Sequence, residues 1–468
     1  MVYLNHTASI LTQIKNFMEQ NGLTLHRLSQ KAEINTGSLS SILNGKRLLS
    51  APHLDSITAA LALPKGYFYE QYIEEFLAQT APDWRRVRPF LDRCAELDKL
   101  ECIRQVTGIL LDNLMYLPLL FETAEDFFHR GRKEAAAILY ENVAMSEKMQ
   151  HSERLAMCHY RLFLIALSDD QDSNLRAAAQ FEDHVSRLDV ADQLDALKQL
   201  GHIYYSLHQW KKVDEIAQEM HRIASIQYKH HCQSARKEPE QKRSKRPLYF
   251  YIMYSHLLRS AVCEECNDYE QALKFVAYYA DGSWIQEKDE TAKQTAEQFQ
   301  EWATANSYLY RVMSGDIEVL PDYVECILNR RGEITQALYK ILQAANRYCW
   351  NVDNVLERLS AHIPYQSHRS RFGDYNKQIT TDQYARFLFE LANYYLQRQR
   401  HEGIELLLQS LDFSASINCE SNVVRCVDLF EQNRHNAGEE ERQKYKFLIR
   451  KVVEKLNEKD YDNVLSSV

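Results

Sequence analysis

The sequence is poor in the residues that interrupt helices and form the turns between strands. Its 468 residues include only 13 glycines and 9 prolines, whereas 45% are hydrophobic. Folds rich in β-strands need frequent turn residues, and a chain of this length and apolar content can bury large cores. The composition therefore predicts an almost entirely helical protein.

The sequence also lacks the short motifs that carry most catalytic and metal-binding chemistry. It has no phosphate-binding glycine loop and no nucleophile elbow. The ten cysteines follow no regular spacing, and Cys263-Glu-Glu-Cys266 has no second pair to complete a zinc site. His230-His231-Cys232 lies in a polar, basic segment, 229–246, for which we expect a loop rather than a metal site. We expect reduced thiols, no cofactor, no metal and no enzyme activity.

Long apolar runs are absent as well. No run approaches the roughly eighteen apolar residues of a membrane helix, and no basic segment followed by an apolar one opens the chain. We expect a cytoplasmic protein with no membrane partner.

Charge is distributed unevenly between the start of the chain and the rest. The net charge is −9, yet residues 1–64 hold five basic and three acidic side chains, which leaves −11 for the remaining 404. A contact with nucleic acid is therefore expected only near the N-terminus.

The stretch Leu23–Arg47 has a spacing that implies a specific chemistry. Thr24 can cap a first helix, Asn35 can cap a second one, and Asn44-Gly45 can end it. Two short helices joined by a few residues, with small polar side chains outward on the second, suit a DNA major groove. An amphipathic helical hairpin formed by chance is the alternative.

At these residues the stretch resembles the lambda-repressor-like (Cro/XRE) family, although Leu25 and Glu33 replace a frequent glutamine and a frequent turn glycine of that family. The resemblance implies that five small residues face the base edges and that four contact the DNA backbone. The first set is Asn35, Thr36, Gly37, Ser40 and Ser41, and the second is Thr24, Asn44, Lys46 and Arg47.

Amphipathic segments on both sides complete a predicted five-helix domain over residues 1–74. Its last short helix is expected to open at Pro64 and to run through Tyr72. Residues 75–121 are predicted to be linker helices, with one amphipathic helix from about Phe90 to Leu117.

Helical pairs are predicted from about Glu122 to the end of the chain, 122–468. Leu200 to Ile216 follows the pattern of a tetratricopeptide (TPR) helix pair, and Asn267 to Ala272 resembles the turn inside such a pair. The pattern Ala-Asn-x-Tyr recurs at Asn306, Asn346 and Asn393. This part resembles a right-handed TPR-like α-solenoid, with a plain helical bundle as the alternative.

In such a solenoid the inner helices line a concave surface that suits an extended peptide. An asparagine amide can bind both the carbonyl and the N–H group of a peptide backbone, so Asn306, Asn346 and Asn393 are candidate ligand residues. The alternative is that the motif serves packing alone. Five further side chains are candidates for adding charge or stacking: Arg311, Arg347, Arg386, Tyr205 and His202.

The combination of a Cro/XRE-like domain with a TPR-like array resembles the RRNPP family of peptide-pheromone receptors. The resemblance implies a quorum-sensing transcription regulator that binds a DNA operator as a homodimer and a short signalling peptide in its concave groove. The alternative is a regulator whose solenoid sequesters another protein, and the third reading is an enzyme acting on response-regulator phosphate.

Overall fold

The computed structural model describes residues 9–79, 82–148, 152–168, 170–233, 244–328, 330, 334–359, 377–417 and 419–465. At 377–381 and 455–465 it describes the backbone only. Residues 234–243, the middle of the predicted loop 229–246, lie outside the described residues.

Within the described ranges the protein is helical throughout and contains no strand, which confirms the predicted all-α class. The first eleven α-helices are α1 Ile10–Gln20, α2 Leu25–Ala32, α3 Thr36–Leu43, α4 Ala51–Ala60, α5 Tyr69–Tyr72, α6 Trp84–Glu96, α7 Leu100–Leu111, α8 Leu117–His129, α9 Lys133–Ser146, α10 Glu153–Ala166 and α11 Gln171–Glu182. The next twelve are α12 Val190–Ser206, α13 Trp210–Gln233, α14 Leu248–Glu265, α15 Tyr269–Ala280, α16 Glu290–Met313, α17 Leu320–Leu328, α18 Ile334–Tyr348, α19 Asp353–Arg358, α20 Lys377–Leu396, α21 Glu402–Ser416, α22 Glu420–Gln432 and α23 Glu439–Leu465. None of the helices in these ranges is both long and apolar enough to cross a membrane.

The chain forms two compact units. The first contains residues 1–166 and 179–189, and the second contains 167–178 and 190–468. In the first unit one continuous hydrophobic core runs from Ile10 to Cys158. Helices α6 and α7, within the predicted linker 75–121, contribute Phe90, Leu91 and Ile103 to this core.

The predicted helix ends around α2 and α3 are confirmed. The Thr24 hydroxyl accepts a hydrogen bond from the Arg27 N–H, and the Asn35 side chain accepts from the N–H groups of Gly37 and Ser38. Gly45, after α3, has a φ of +70°. Side-chain acceptors at these positions satisfy backbone donors that the first turn of a helix leaves unpaired.

Three predicted boundaries are wrong. The helix expected from Pro64 begins only at Tyr69, because residues 64–67 form a turn, and it continues into a π-helical turn, Ile73–Leu77. The single helix expected over 90–117 is interrupted at Asp98, which has a φ of 52° and separates α6 from α7, and α7 already ends at Leu111. The start of the predicted loop, 229–233, is helical and ends α13.

In the second unit, helices that follow one another along the chain pack against each other. Each of α12 to α15 packs against the next helix, α18 packs against α20, and α21 packs against α20, α22 and α23. A core near the C-terminus, from Phe389 to Leu448, joins α20 to α23. Packing between sequence neighbours builds this unit from local contacts.

Among the described residues, seven other than glycine adopt a left-handed backbone conformation, each just after a helix. They are Glu33, Ala62, Asp98, His208, Asn267, Cys349 and Gln399, with φ between 52° and 59°. This conformation costs an L-residue roughly 1–2 kcal/mol, whereas glycine adopts it freely.

We expect Glu33→Gly to stabilise the α2–α3 region by about 0.5–1 kcal/mol, because relief of the left-handed strain exceeds the extra chain entropy of glycine. Hydrogen exchange of the α2 and α3 amides measures the free energy of local opening. The control is Lys31→Gly, in the exposed last turn of α2, which should destabilise the helix by about 1 kcal/mol. Faster exchange in the Glu33 variant would contradict the strain assigned here.

Candidate functional site

The polar residues predicted to read DNA bases lie at the start and middle of α3. Asn35 and Gly37 are exposed, whereas Thr36, Ser40 and Ser41 are partly exposed. The Thr36 hydroxyl lies 2.8 Å from the Ser29 hydroxyl of α2, and this hydrogen bond fixes the start of α3 against α2. Because Asn35 caps α3 with its carbonyl oxygen, only its amide group is left to contact a ligand.

The residues predicted to contact the DNA backbone surround α3. Thr24, Asn44, Lys46 and Arg47 are all exposed. The Arg47 guanidinium donates to the Ser38 hydroxyl over 3.1 Å and meets no carboxylate there. Burial, and after it the charge of Arg47, lowers the pKa of His53, so this histidine adds no charge at neutral pH.

A surface cavity of about 470 Å³ adjoins this face. Thr24, Ser40 and Asn44 line it together with Lys15 and Glu19 of α1. The structure thus adds Lys15 to the candidate interface. No sequence pattern indicated this residue, because the spacing of apolar residues in α1 marks only the buried side of the helix.

The three Ala-Asn-x-Tyr motifs occupy α16, α18 and α20, and their alanines are buried. The asparagines differ in their partners. Asn306 donates to the Tyr279 hydroxyl over 2.8 Å. Asn346 donates to the backbone oxygen and to the carboxylate of Glu390, each over 2.9 Å. The Asn393 side chain accepts from Gln397, the first residue after α20, and has no other side-chain hydrogen bond among the described residues.

Two of the three asparagines therefore hold neighbouring helices together, which supports the packing alternative for Asn306 and Asn346. The Oδ1 atom of Asn346 is nevertheless buried without a hydrogen-bond partner in the part of the chain that the structure describes. None of the three motif tyrosines is buried: Tyr308 and Tyr395 are partly exposed, and Tyr348 is exposed, with its hydroxyl donating to the Met313 carbonyl.

His202 and Tyr205 lie on α12 and face α14. His202 Nε2 is hydrogen bonded to the Tyr254 hydroxyl. Burial, and then the charge of Lys198, lowers the pKa of His202 to about 3, so its ring is neutral at physiological pH. Burial, followed by the charges of Glu264 and Glu265, raises the pKa of Tyr205.

Close to Tyr205 lies a cluster of charged side chains that the sequence did not reveal. The Lys340 amino group of α18 lies 2.7 Å from a Glu264 oxygen and 3.1 Å from a Glu265 oxygen of α14. The Lys340 side chain is only 8% exposed. Burial lowers the pKa of Lys340, but the two carboxylates outweigh this effect and hold it well above its usual value.

The three predicted arginines are already paired in the structure. Arg311 pairs with Asp316 at 2.7 Å, Arg386 pairs with Asp382 at 2.8 Å, and Arg347 donates to the Asn267 side chain over 2.9 Å. Burial raises the pKa of Tyr339, which directly precedes Lys340, and the charges of Lys340 and Arg386 oppose this effect. Arg386 therefore lies near the cluster of charged side chains.

Together these groups form a polar row across four helices of the second unit. Its members are Lys198, His202, Tyr205, Tyr254, Glu264, Glu265, Lys340, Arg386 and Glu390, on α12, α14, α18 and α20. Among the described residues no group of three or more histidine, cysteine or acidic side chains is placed to hold a metal ion. The row offers hydrogen bonds and charge rather than metal ligands.

Comparison of the sequence with protein-family models and with curated proteins gives no match.

We expect Asn346→Ala to destabilise the second unit by about 1–3 kcal/mol, because it removes two hydrogen bonds to the buried Glu390. Urea unfolding measures this change. Asn393→Ala is the matched control from the same motif and should change the stability by less than about 0.5 kcal/mol. Equal effects of the two substitutions would contradict the packing role of Asn346.

Replacement of Lys340 by methionine should destabilise the second unit by about 3–5 kcal/mol, because it leaves two carboxylates without their cation. Lys293→Met removes an exposed pair with Glu297 on α16 and should cost less than about 1 kcal/mol. Thermal unfolding of the two variants measures the difference, and a loss that is no larger for Lys340 would show that the cluster is not a stabilising contact.

Proposed function

We propose that the protein is a DNA-binding transcription regulator whose helical second unit binds a short peptide. The observation that carries the proposal is the exposed polar face of α2 and α3, where capped helices joined by three residues present small side chains. Lys46 and Arg47 beside this face form no ion pair with any residue that the structure describes. Such a face suits the major groove, with Lys46 and Arg47 at the phosphates. The Cro/XRE-like arrangement and the cytoplasmic location are parts of this proposal.

The second unit supports the ligand-binding part of the proposal. Helices that pack on their sequence neighbours are the building principle of a TPR-like solenoid. The polar row belongs to the first helices of successive pairs, which line the concave surface in that architecture. Its acceptors and donors suit the backbone of an extended peptide, and the unused Asn346 oxygen, whose side chain donates to Glu390 of the row, adds an acceptor.

A single copy of α3 carries few side chains that can discriminate bases. Serine and threonine hydroxyls read several bases, and no arginine or glutamine projects from α3. Two half-sites bound by a homodimer would supply the missing specificity. A peptide could then regulate DNA binding if it has different affinities for the DNA-competent and incompetent arrangements of the dimer.

The DNA interface is tested by selection from a random duplex library, followed by fluorescence anisotropy of the selected duplex at several salt concentrations. Lys46→Gln and Arg47→Gln should each weaken binding and lower the salt slope by about one. Lys65→Gln changes an exposed lysine outside the interface and should leave both quantities unchanged. No selected duplex, or equal losses in all three variants, would overturn the proposed interface.

Sedimentation of the complex with the selected duplex tests the homodimer. Two protein chains per duplex are expected, together with two half-sites about one helical turn apart in the selected sequence. One chain per duplex would contradict the dimer.

A further inference from the structure

Lys198 is a half-buried cation without a counter-ion. It projects from α12, and its amino group lies 5.7 Å from the centre of the Tyr254 ring on α14. In the part of the chain that the structure describes, its amino group forms no hydrogen bond and no ion pair. Burial, and then the charge of Arg246, lowers the pKa of Lys198, while Asp195 raises it. A charge held in this way is costly unless an anion joins it.

The nearest acid is already occupied. Asp195 is buried, and its carboxylate accepts hydrogen bonds from the Tyr251 hydroxyl and, over 3.2 Å, from the Lys245 N–H. These bonds hold Asp195 toward the start of α14. The carboxylate therefore offsets only part of the positive charge that Lys198, Lys245 and Arg246 bring to this corner.

The surroundings strengthen the attraction for an anion. The Arg246 guanidinium lies 5.4 Å from the centre of the Phe250 ring, and Phe250 stacks on Tyr254 with ring centres 5.5 Å apart. Beside them, His202 is neutral and bonded to the Tyr254 hydroxyl. Aromatic walls lower the dielectric around the half-buried Lys198, so a carboxylate here meets one cation that is partly shielded from water, and the exposed Arg246 adds a second positive charge.

We propose that Lys198 and Arg246, against the wall of Phe250 and Tyr254, form a carboxylate site at the α12 end of the polar row, and that it receives the C-terminal carboxylate of the bound peptide. The inference rests on the proposed peptide binding and adds a direction to it: the peptide chain ends at α12 and extends toward α18 and α20. An acidic side chain offers the same chemistry, and the experiment separates the two sources.

The test compares two pools of N-acetylated heptapeptides with randomised sequence, one with free C-terminal carboxylates and one with C-terminal amides. Each pool is equilibrated with the full-length protein at pH 7, and mass spectrometry quantifies the retained peptides. The wild type should retain the free acids at least tenfold better than the amides. Lys198→Gln should reduce this preference to less than twofold, while Lys198→Arg should keep it.

The matched control is Lys211→Gln on α13, whose side chain is 91% exposed. It should keep the full preference, and circular dichroism of each variant checks that the helices are intact. If Lys198→Gln fails to fold, the charge-conserving arginine variant and the wild-type comparison of acids with amides still decide the question.

Each contrary result of the peptide experiment overturns a different part of the proposal. Equal retention of the two pools by the wild type, or a preference that survives in Lys198→Gln, overturns the carboxylate site and leaves peptide binding intact. Amidated peptides rich in aspartate or glutamate, retained by the wild type and lost with Lys198→Gln, overturn the C-terminal assignment in favour of an acidic side chain. Retention of neither pool overturns peptide binding itself, whereas the DNA experiment decides the first unit independently.

Discussion

The contact of Lys340 with Glu264 and Glu265 constrains the second unit more than any other polar interaction described above. It joins two helices that are 75 residues apart in sequence, counted between Lys340 and Glu265. Removing three charged groups from water costs free energy, and their mutual attraction offsets this cost only when the charges are closely and correctly placed. The cluster therefore fixes the register of α14 against α18. The neighbouring junction between α18 and α20, where Asn346 and Arg425 both bind Glu390, depends on that register.

Local chemistry explains which features the sequence revealed and which it did not. Thr24 and Asn35 could be recognised as helix caps because a cap acts on N–H groups two or three residues away. The break at Asp98 could not, because the aspartate sits in a left-handed turn that glycine usually marks. The helix start predicted at Pro64 was wrong because proline favours a turn as well as the first position of a helix.

The sequence likewise revealed some features of the candidate site and not others. The asparagine motif was visible as a repeat, but its partners were not, because Glu390 and Tyr279 lie 44 and 27 residues from the asparagines they accept from. Lys198 and Lys340 look alike in the sequence, as lysines on amphipathic helices. Only the fold shows that Lys340 pairs with two carboxylates, whereas Lys198 forms no ion pair among the described residues. Long-range pairing of charges thus separates structural residues from candidate binding residues.

The seven left-handed residues that follow helices have a consequence for how this protein could change over time. Glycine is scarce, so residues such as Ala62 and Gln399 occupy positions that strain their backbone. At roughly 1 kcal/mol each, the backbone strain at these seven positions adds up to an energy comparable to the whole free energy of unfolding of a typical domain. Because distant substitutions act almost additively, single changes at these turns could offset costly ones elsewhere. The chain therefore has room to acquire new surface residues along the polar row or on α2 and α3 without losing its fold.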